Sequence, residues 1–275
     1  MSIAKRDFVK MSGSGNDFVM VDARTTEPGA LADPKIISAV CARATGVGAD
    51  GIVFLVPSTR ADVKLIYLNS DGSPADLCGN ATLCTTRFAV RLGAADPAGM
   101  AIETGAGIIH SRILATGEPE IDLEEVTDVR PEAKGISVEA PERRIGFATA
   151  GIPHLVIEVP DVALVQVVRR GRPLRWHQSL LPGGANVNFI APNPTGEWAI
   201  RTYERGVEGE TLACGTGAVA SAILIASWQR ESGPITLRTE SGRMLTVRLE
   251  RTKSGWRPSL SGEARFVFEG RFSEL

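Results

Sequence analysis

The sequence predicts an α/β fold made of two similar halves related by a pseudo-two-fold axis, with an active site in the cleft between them. Three observations predict it. A strand-like run followed by a polar, Gly-bearing loop delivers a Cys-Gly pair twice, at Cys78-Gly79 and at Cys214-Gly215. Each pair opens a run of good helix formers, over 81–90 and 218–228. Finally, the two cysteines stand 136 positions apart, and the same shift aligns much of the chain. It sets Gly15 on Gly151 and Phe18-Val19-Met20-Val21 on His154-Leu155-Val156-Ile157. It also sets Gly48-Ala49-Asp50 on Gly184-Ala185-Asn186 and Ile102-Glu103-Thr104 on Arg238-Thr239-Glu240. A fixed shift held along a whole half is the mark of internal duplication.

In chain order, 8–11 and 18–22 read as strands around the Gly-rich turn of 12–17, which by itself is a plain hairpin signal. Residues 34–44 form an amphipathic helix with Ile36, Ile37, Val40 and Cys41 on one face, so Cys41 is expected in the core. Strands follow at 52–56 and 63–68, and the second of them delivers Asn69. The helix over 81–92 carries Cys84, Phe88 and Leu92 on one side, which makes Cys84 a core residue as well. Strands are expected at 101–104, 107–114 and 121–123, with His110 structural or exposed. The charged segment 124–141 holds two prolines and reads as the crossing between halves. The second half repeats the plan, with strands at 144–148, 155–159, 187–190 and 198–203, and a helix over 161–171. After its central helix come strands at 235–240, 243–250 and 266–268. The expected domains are 1–123 with Cys78, 142–262 with Cys214, and 263–275 as a final strand returning to the N-terminal half.

The chain has 275 residues, 43% hydrophobic and 23% charged, which is enough for two domains with buried cores. A net charge of −2 carries no basic excess for nucleic acid or an acidic membrane surface. The start, Met1 to Asp7, has no apolar signal core, and no run of about 18 apolar residues occurs, so a cytoplasmic protein off the membrane is expected. The four cysteines make neither a disulfide framework nor a Cys-x-x-Cys pair, and the three histidines have no ligand spacing, so no metal is expected.

A cysteine at a helix entrance sits among unpaired N–H groups at the positive end of the dipole. That place lowers a thiol pKa and cradles a carboxylate. Duplication would set two such cysteines face to face over the cleft between the halves, a placement that a buried structural thiol does not need. Judged alone, Asn16, Asn69 and Asn186 read as turn-forming residues next to Gly, and Glu204 as a surface carboxylate paired with Arg205.

Several motifs together carry a resemblance. They are Gly15-Asn16-Asp17-Phe18, Asn69-x-Asp71-Gly72-Ser73, Cys78-Gly79-Asn80, Pro153-His154, Asn186-Val187-Asn188-Phe189, Tyr203-Glu204-Arg205-Gly206, and Glu210-Thr211-Leu212-Ala213-Cys214-Gly215-Thr216-Gly217. Over nearly its whole length the chain resembles the diaminopimelate epimerases, the cofactor-independent two-cysteine amino-acid epimerases. The resemblance implies that each domain is a β-sheet wrapped around a central helix. It implies Cys78 and Cys214 as the proton-transfer pair, assisted by His154 and Glu204. Gly79, Asn80, Gly215 and Thr216 would hold the carboxylate at the reacting carbon. Asn16, Asn69, Asn186, Glu204 and Arg205 would bind the substrate. It further implies epimerisation of LL-diaminopimelate to the meso form, feeding lysine and peptidoglycan precursors, with no cofactor.

The sequence departs from the family pattern at Ile152, where Asn is usual, at Gly51, where some members have Gln, and at Ser12, where His is usual. Pro182-Gly183-Gly184 replaces Pro-Glu-Gly, and Ala81-Thr82-Leu83 replaces a Gly-rich helix start. Ile152 bears most directly on how the distal end of a substrate is held. Two other readings therefore stay open: a same-fold racemase of another amino acid such as histidine, and a non-catalytic amino-acid-binding protein. The expected partner is a small amino acid, with a homodimer left open.

Overall fold

Alternating apolar runs and Gly-rich turns build most of the strands, and the computed structural model describes them over residues 5–229 and 233–273. Residues 1–4 of the expected leader-free start, and the last two residues of the expected final segment, lie outside the described residues. The described chain forms two units.

The first unit runs through Ile121 and resumes at Ser261. Its elements are β1 (Asp7–Gly13), β2 (Asn16–Asp22), α1 (Pro34–Cys41), β3 (Gly51–Val56), β4 (Val63–Asn69), α2 (Gly79–Arg91), β5 (Met100–Thr104), β6 (Gly107–Ile113) and β7 (Pro119–Asp122). The second, Asp122–Leu260, holds β8 (Val129–Arg130), β9 (Arg144–Ala150), β10 (Ile152–Glu158), α3 (Val167–Arg175), β11 (Asn186–Pro192), β12 (Trp198–Glu204), β13 (Gly209–Thr211), α4 (Gly215–Gln229), β14 (Ile235–Arg238), β15 (Met244–Arg251) and most of β16 (Trp256–Gly262). A last strand, β17 (Arg265–Arg271), belongs to the first unit and pairs antiparallel with β1.

In the first unit β1 and β2 are an antiparallel hairpin, β2 and β3 are parallel, β3 and β4 antiparallel, and β4 and β5 parallel. The second unit repeats that order with β9 to β12 and then β14. Period-two alternation gives each sheet two apolar faces. One face of the first sheet, with Val19, Val21, Ile52 and Phe54, packs on Ile37, Val40 and Cys41 of α1. Its counterpart, with Leu155, Ile157, Val187 and Phe189, packs on Val167 and Leu174 of α3. The opposite faces wrap the longer helices. α2 touches β1, β2, β3, β4 and β6, and α4 touches β8 to β11, β14 and β15. Residues 217–226 of α4 are all buried, as expected of a helix that is apolar on every side.

The structure differs from the sequence expectation in places. A helix over 161–171 is expected, yet a 3-10 turn at Val162–Leu164 comes first and α3 runs on to Arg175. Gly171 lies on the buried stripe of Val167 and Leu174, where it packs against Tyr203, so it sits inside the helix and does not end it. Segment 124–141 is packed within the second unit, where Val126 bridges to Trp256 and β8 pairs with β9. β16, in a stretch rich in Pro and Ser, was not expected as a strand. Among the described residues no helix is long and apolar enough to cross a membrane.

Candidate active site

In the first unit Cys78 is the residue before α2, with an extended backbone, and its side chain is half-buried. Its carbonyl accepts from Thr82 N and Thr82 Oγ1, both at 2.9 Å, which locks the first turn. That turn has no acidic side chain to neutralise the helix dipole. Gly79 and Asn80 are its first two residues. Asn80 is held by a chain of amides. Asn80 Nδ2 donates to Asn16 Oδ1 (2.7 Å), and Asn16 Nδ2 donates to Asp50 Oδ2 (2.9 Å). Asp50 also accepts from Asp17 N (3.1 Å) and from Arg43 (2.6 Å). A carboxylate only accepts, so Asp50 sets the orientation of both amides in turn. The result leaves Asn80 Oδ1 buried, with no hydrogen-bond partner among the described residues. That oxygen suits an N–H donor such as an ammonium; a carboxylate would be met by backbone N–H groups of the turn.

Asn69 ends β4 in a tight turn, with its Nδ2 donating to Ser73 O (3.2 Å) and Ser73 Oγ (3.1 Å). Asp71 Oδ1 closes the turn by accepting from Ser73 N (2.8 Å). Cys41 and Cys84 are core thiols. Burial raises the Cys41 pKa to about 11, and burial together with the nearby Cys78 raises that of Cys84 further.

The second unit assembles its residues more tightly. Cys214, 8% exposed, precedes α4. Its sulfur accepts from Gly217 N (3.4 Å) and Asn186 Nδ2 (3.8 Å), and lies 3.5 Å from Thr216 Oγ1. These contacts hold the sulfur against the first turn of α4. Asn186 uses its other end too: Oδ1 accepts from Arg205 N (2.8 Å), so one buried amide ties the thiol to the Glu204-Arg205 corner. Glu204 itself accepts from Thr211 Oγ1 (2.7 Å).

His154 lies opposite Asn186 on the neighbouring strand and is fully buried. Burial, with the positive field of Arg205, pushes its pKa down to about 3. Its Nδ1 is 3.1 Å from Asn188 Nδ2, and its Nε2 is buried with no hydrogen-bond partner among the described residues. Leaving such a group unpaired costs about 1–3 kcal/mol. Asn188 in turn donates to Leu155 O (2.9 Å) and accepts from Thr202 Oγ1 (2.9 Å).

Within the first unit the structure thus joins Asn16 and Asn80 in one network beside Cys78, and places Asn69 in a separate turn. Within the second it joins Cys214, Thr216, Asn186 and Arg205, with His154 alongside. Asp50, Asn188 and Thr202 are members of these networks to which the sequence assigns no role. Asn188 carried a signal, since it stands two residues after Asn186 and so shares its strand face.

The strand registers also correct the alignment of the halves. Val19 lies opposite Ile52, which lies opposite Leu68. Leu155 lies opposite Val187, which lies opposite Tyr203. The 136-residue shift therefore holds for β2 and β10 but slips by one in β3, β4 and β5, so that Ile102 matches Leu237 and not Arg238. Gly51, not Asp50, is the counterpart of Asn186, and Asn69 is the counterpart of Glu204. The space that a side chain at Gly51 would need is filled, because a Cβ there would lie 2.5 Å from Tyr67 Cε2 and from Leu68 O. Among the described residues no group of three or more His, Cys, Asp or Glu side chains is placed to hold a metal ion.

Comparison with known proteins identifies the family. The sequence profile of the family described as diaminopimelate epimerase matches residues 8–128 and 146–267, covering both cysteines. A diaminopimelate epimerase of Gemmatimonas aurantiaca is 51% identical over 277 aligned positions, covering 98% of this chain and 99% of that one. One of Aquifex aeolicus is 39% identical, with 98% of each chain covered. Among solved structures, a Bacillus anthracis phenazine biosynthesis protein of the PhzF family superposes with a TM-score of 0.75 over 99% of each chain at 17% identity, a likeness of fold alone. With both halves matched and an identity of this size along the whole length, the chain belongs to the diaminopimelate epimerase family.

Proposed function

We propose that this chain epimerises LL-diaminopimelate to the meso form by proton transfer at Cα without pyridoxal phosphate, in the supply of lysine and peptidoglycan precursors. The observation that carries this is the family match across both halves, with a cysteine at the entrance of the buried helix in each. Cys78 and Cys214 are the acid–base pair in this reading, one thiolate and one thiol, exchanging roles with direction. With no cofactor to take up electrons, the planar intermediate must be met by fixed dipoles, and the first turns of α2 and α4, at Gly79-Asn80 and Gly215-Thr216, supply N–H groups for the α-carboxylate. Asn80 Oδ1 and Asn16 suit the α-ammonium. Asn69, Asn186, Glu204 and Arg205 suit the distal end, with Arg205 as the carboxylate clamp. His154 and Glu204 assist the cysteines.

Two finer points belong to the same reading. The protein works in the cytoplasm. It also pairs as a homodimer, supported by Val267 and Phe268, which are 46% and 47% exposed on β17. Sedimentation of Phe268→Glu as a monomer, against a dimeric parent, would support the dimer.

The decisive experiment measures deuterium incorporation at Cα from heavy water across LL-diaminopimelate and a panel of L-amino acids. Incorporation into diaminopimelate with formation of the meso isomer is expected. Exchange only into another amino acid, the outcome that Ile152 and Gly51 would explain, replaces the substrate. Binding of an amino acid with no exchange at all reduces the chain to a binding protein.

A further inference from the structure

We infer that Asn188, buttressed by Thr202, holds His154 as a neutral imidazole with its proton on Nε2, so that His154 serves the reaction as a hydrogen-bond donor and not as a proton acceptor. The catalytic half of this inference rests on the epimerase reading; the tautomer half does not.

The assignment follows from one carbonyl. Leu155 O can only accept, so the end of the Asn188 amide 2.9 Å from it is Nδ2. The other end is then Oδ1, consistent with its acceptance of the Thr202 hydroxyl at 2.9 Å. A flipped amide would set two oxygens against each other at the Leu155 carbonyl. Nδ2 has two hydrogens; one goes to Leu155 O and the other points to His154 Nδ1 at 3.1 Å. That contact is a hydrogen bond only when Nδ1 is bare, and a neutral ring with a bare Nδ1 carries its hydrogen on Nε2. An imidazolium would place two N–H donors head to head. Complete burial and the field of Arg205 act in the same direction.

The other unit shows that this chain is a separate provision. The rung matching Val156, Asn188 and Thr202 is Met20, Val53 and Tyr67, and the residue matching His154 is Phe18. Phe18 meets the Tyr67 ring edge-on, with ring centres 5.8 Å apart. So His154, Asn188 and Thr202 stand together in one half where Phe18, Val53 and Tyr67 stand together in the other. Each member of the polar set satisfies the next, and the set ends in one unspent donor, His154 Nε2–H. A substrate carboxylate or a thiolate is the class of acceptor that donor suits.

The test is imidazole nitrogen NMR of the full chain labelled at its three histidines, with His154 assigned by its loss in His154→Gln. The expected result is an unprotonated-type signal for Nδ1 and a protonated-type signal for Nε2, unchanged down to about pH 5.5, where an ordinary histidine is mostly charged. A proton on Nδ1, alone or together with Nε2, overturns the inference. In Asn188→Asp the carboxylate should draw a proton onto Nδ1; an unmoved Nδ1 signal in that variant also overturns it. Kinetics reads the role. Gln keeps a donor near the Nε2 position, so His154→Gln should lose about 10-fold in kcat, and His154→Leu about 10²–10³-fold, the cost of removing a catalytic donor. Equal losses in the two would show that the ring must take up a proton, which contradicts the inference. If the parent turns over no diaminopimelate while the Nδ1 signal is as expected, the function reading falls and the tautomer stands.

Discussion

The two units share a scaffold and differ in what fills the layer beneath their helices. The first meets α2 with Phe18, Val53 and Tyr67; the second meets α4 with His154, Asn188 and Thr202. The helix entrances differ in the same sense. Cys78 is half-buried and followed by Gly79-Asn80-Ala81, whereas Cys214 is buried and followed by Gly215-Thr216-Gly217. Duplication therefore preserved strand order, helix position and the sulfur, while the polar contacts diverged. The difference teaches that one frame can carry two thiols in unlike surroundings, which is what a reaction with distinct substrate faces needs.

The sharpest way to break the comparison is to remove each sulfur. Cys78→Ala and Cys214→Ala should each lower kcat for diaminopimelate epimerisation by about 10³-fold or more, as for loss of a general acid or base. Steady-state turnover by circular dichroism or coupled assay reads this. One variant within about 10-fold of the parent would mean that the halves do not share the chemistry.

A second test uses pH, because only the second unit buries a histidine at this position. The folded pKa of His154 is about 3, against about 6.5 in an unfolded chain. Above about 6.5 neither state holds the proton and the stability is whole; as pH falls toward 3 the unfolded state gains a proton that the folded state refuses, and stability declines. The slope is about 1.4 kcal/mol per pH unit, so urea unfolding should show about 2–3 kcal/mol lost from this residue between pH 6.5 and 4.5. His154→Leu should remove that part of the pH dependence, and an identical dependence in the variant would contradict a neutral buried ring.

The helix entrances give the third. A Cβ at Gly217 would overlap Asn188 Oδ1 and lie 3.2 Å from Cys214 Sγ. Gly217→Ala should cost about 1–3 kcal/mol by overpacking, and it should lower kcat as well. At the matching position of the first unit, Ala81 is already buried, so Ala81→Gly should cost only about 1 kcal/mol from helix propensity. Chemical denaturation of both variants reads the contrast, and equal losses would erase it.

The smallest effect is expected at Asp50, which orients two amides without reaching the sulfur itself. Asp50→Asn should reduce kcat/KM by about 10-fold, a loss of roughly 1.4 kcal/mol, since either amide can then turn over. An unchanged kcat/KM would show that the Asn16–Asn80 orientation is set elsewhere.

Much of the frame was legible from residues alone. The two central helices announced themselves by Cys-Gly followed by Ala-rich runs, and Cys41 and Cys84 by their place on apolar faces. β16 is not legible in the sequence because Pro258, Ser259, Ser261 and Gly262 read as loop, whereas tertiary packing buries all four. The aligned shift was legible too, but its one-residue slip at β3, β4 and β5 was not, because pairing register depends on which carbonyls face which amides across strands.

By itself the sequence determined the duplication, the paired cysteines at helix entrances and the family, since these rest on residue identity and spacing along the chain. Only the tertiary structure decided which amides face which acceptors: that Asp50 orients Asn16 and Asn80, and that the Leu155 carbonyl orients Asn188 and hence His154. The physical reason is that an amide looks the same from either end in sequence, and takes a direction only when a group that can solely accept is folded against it.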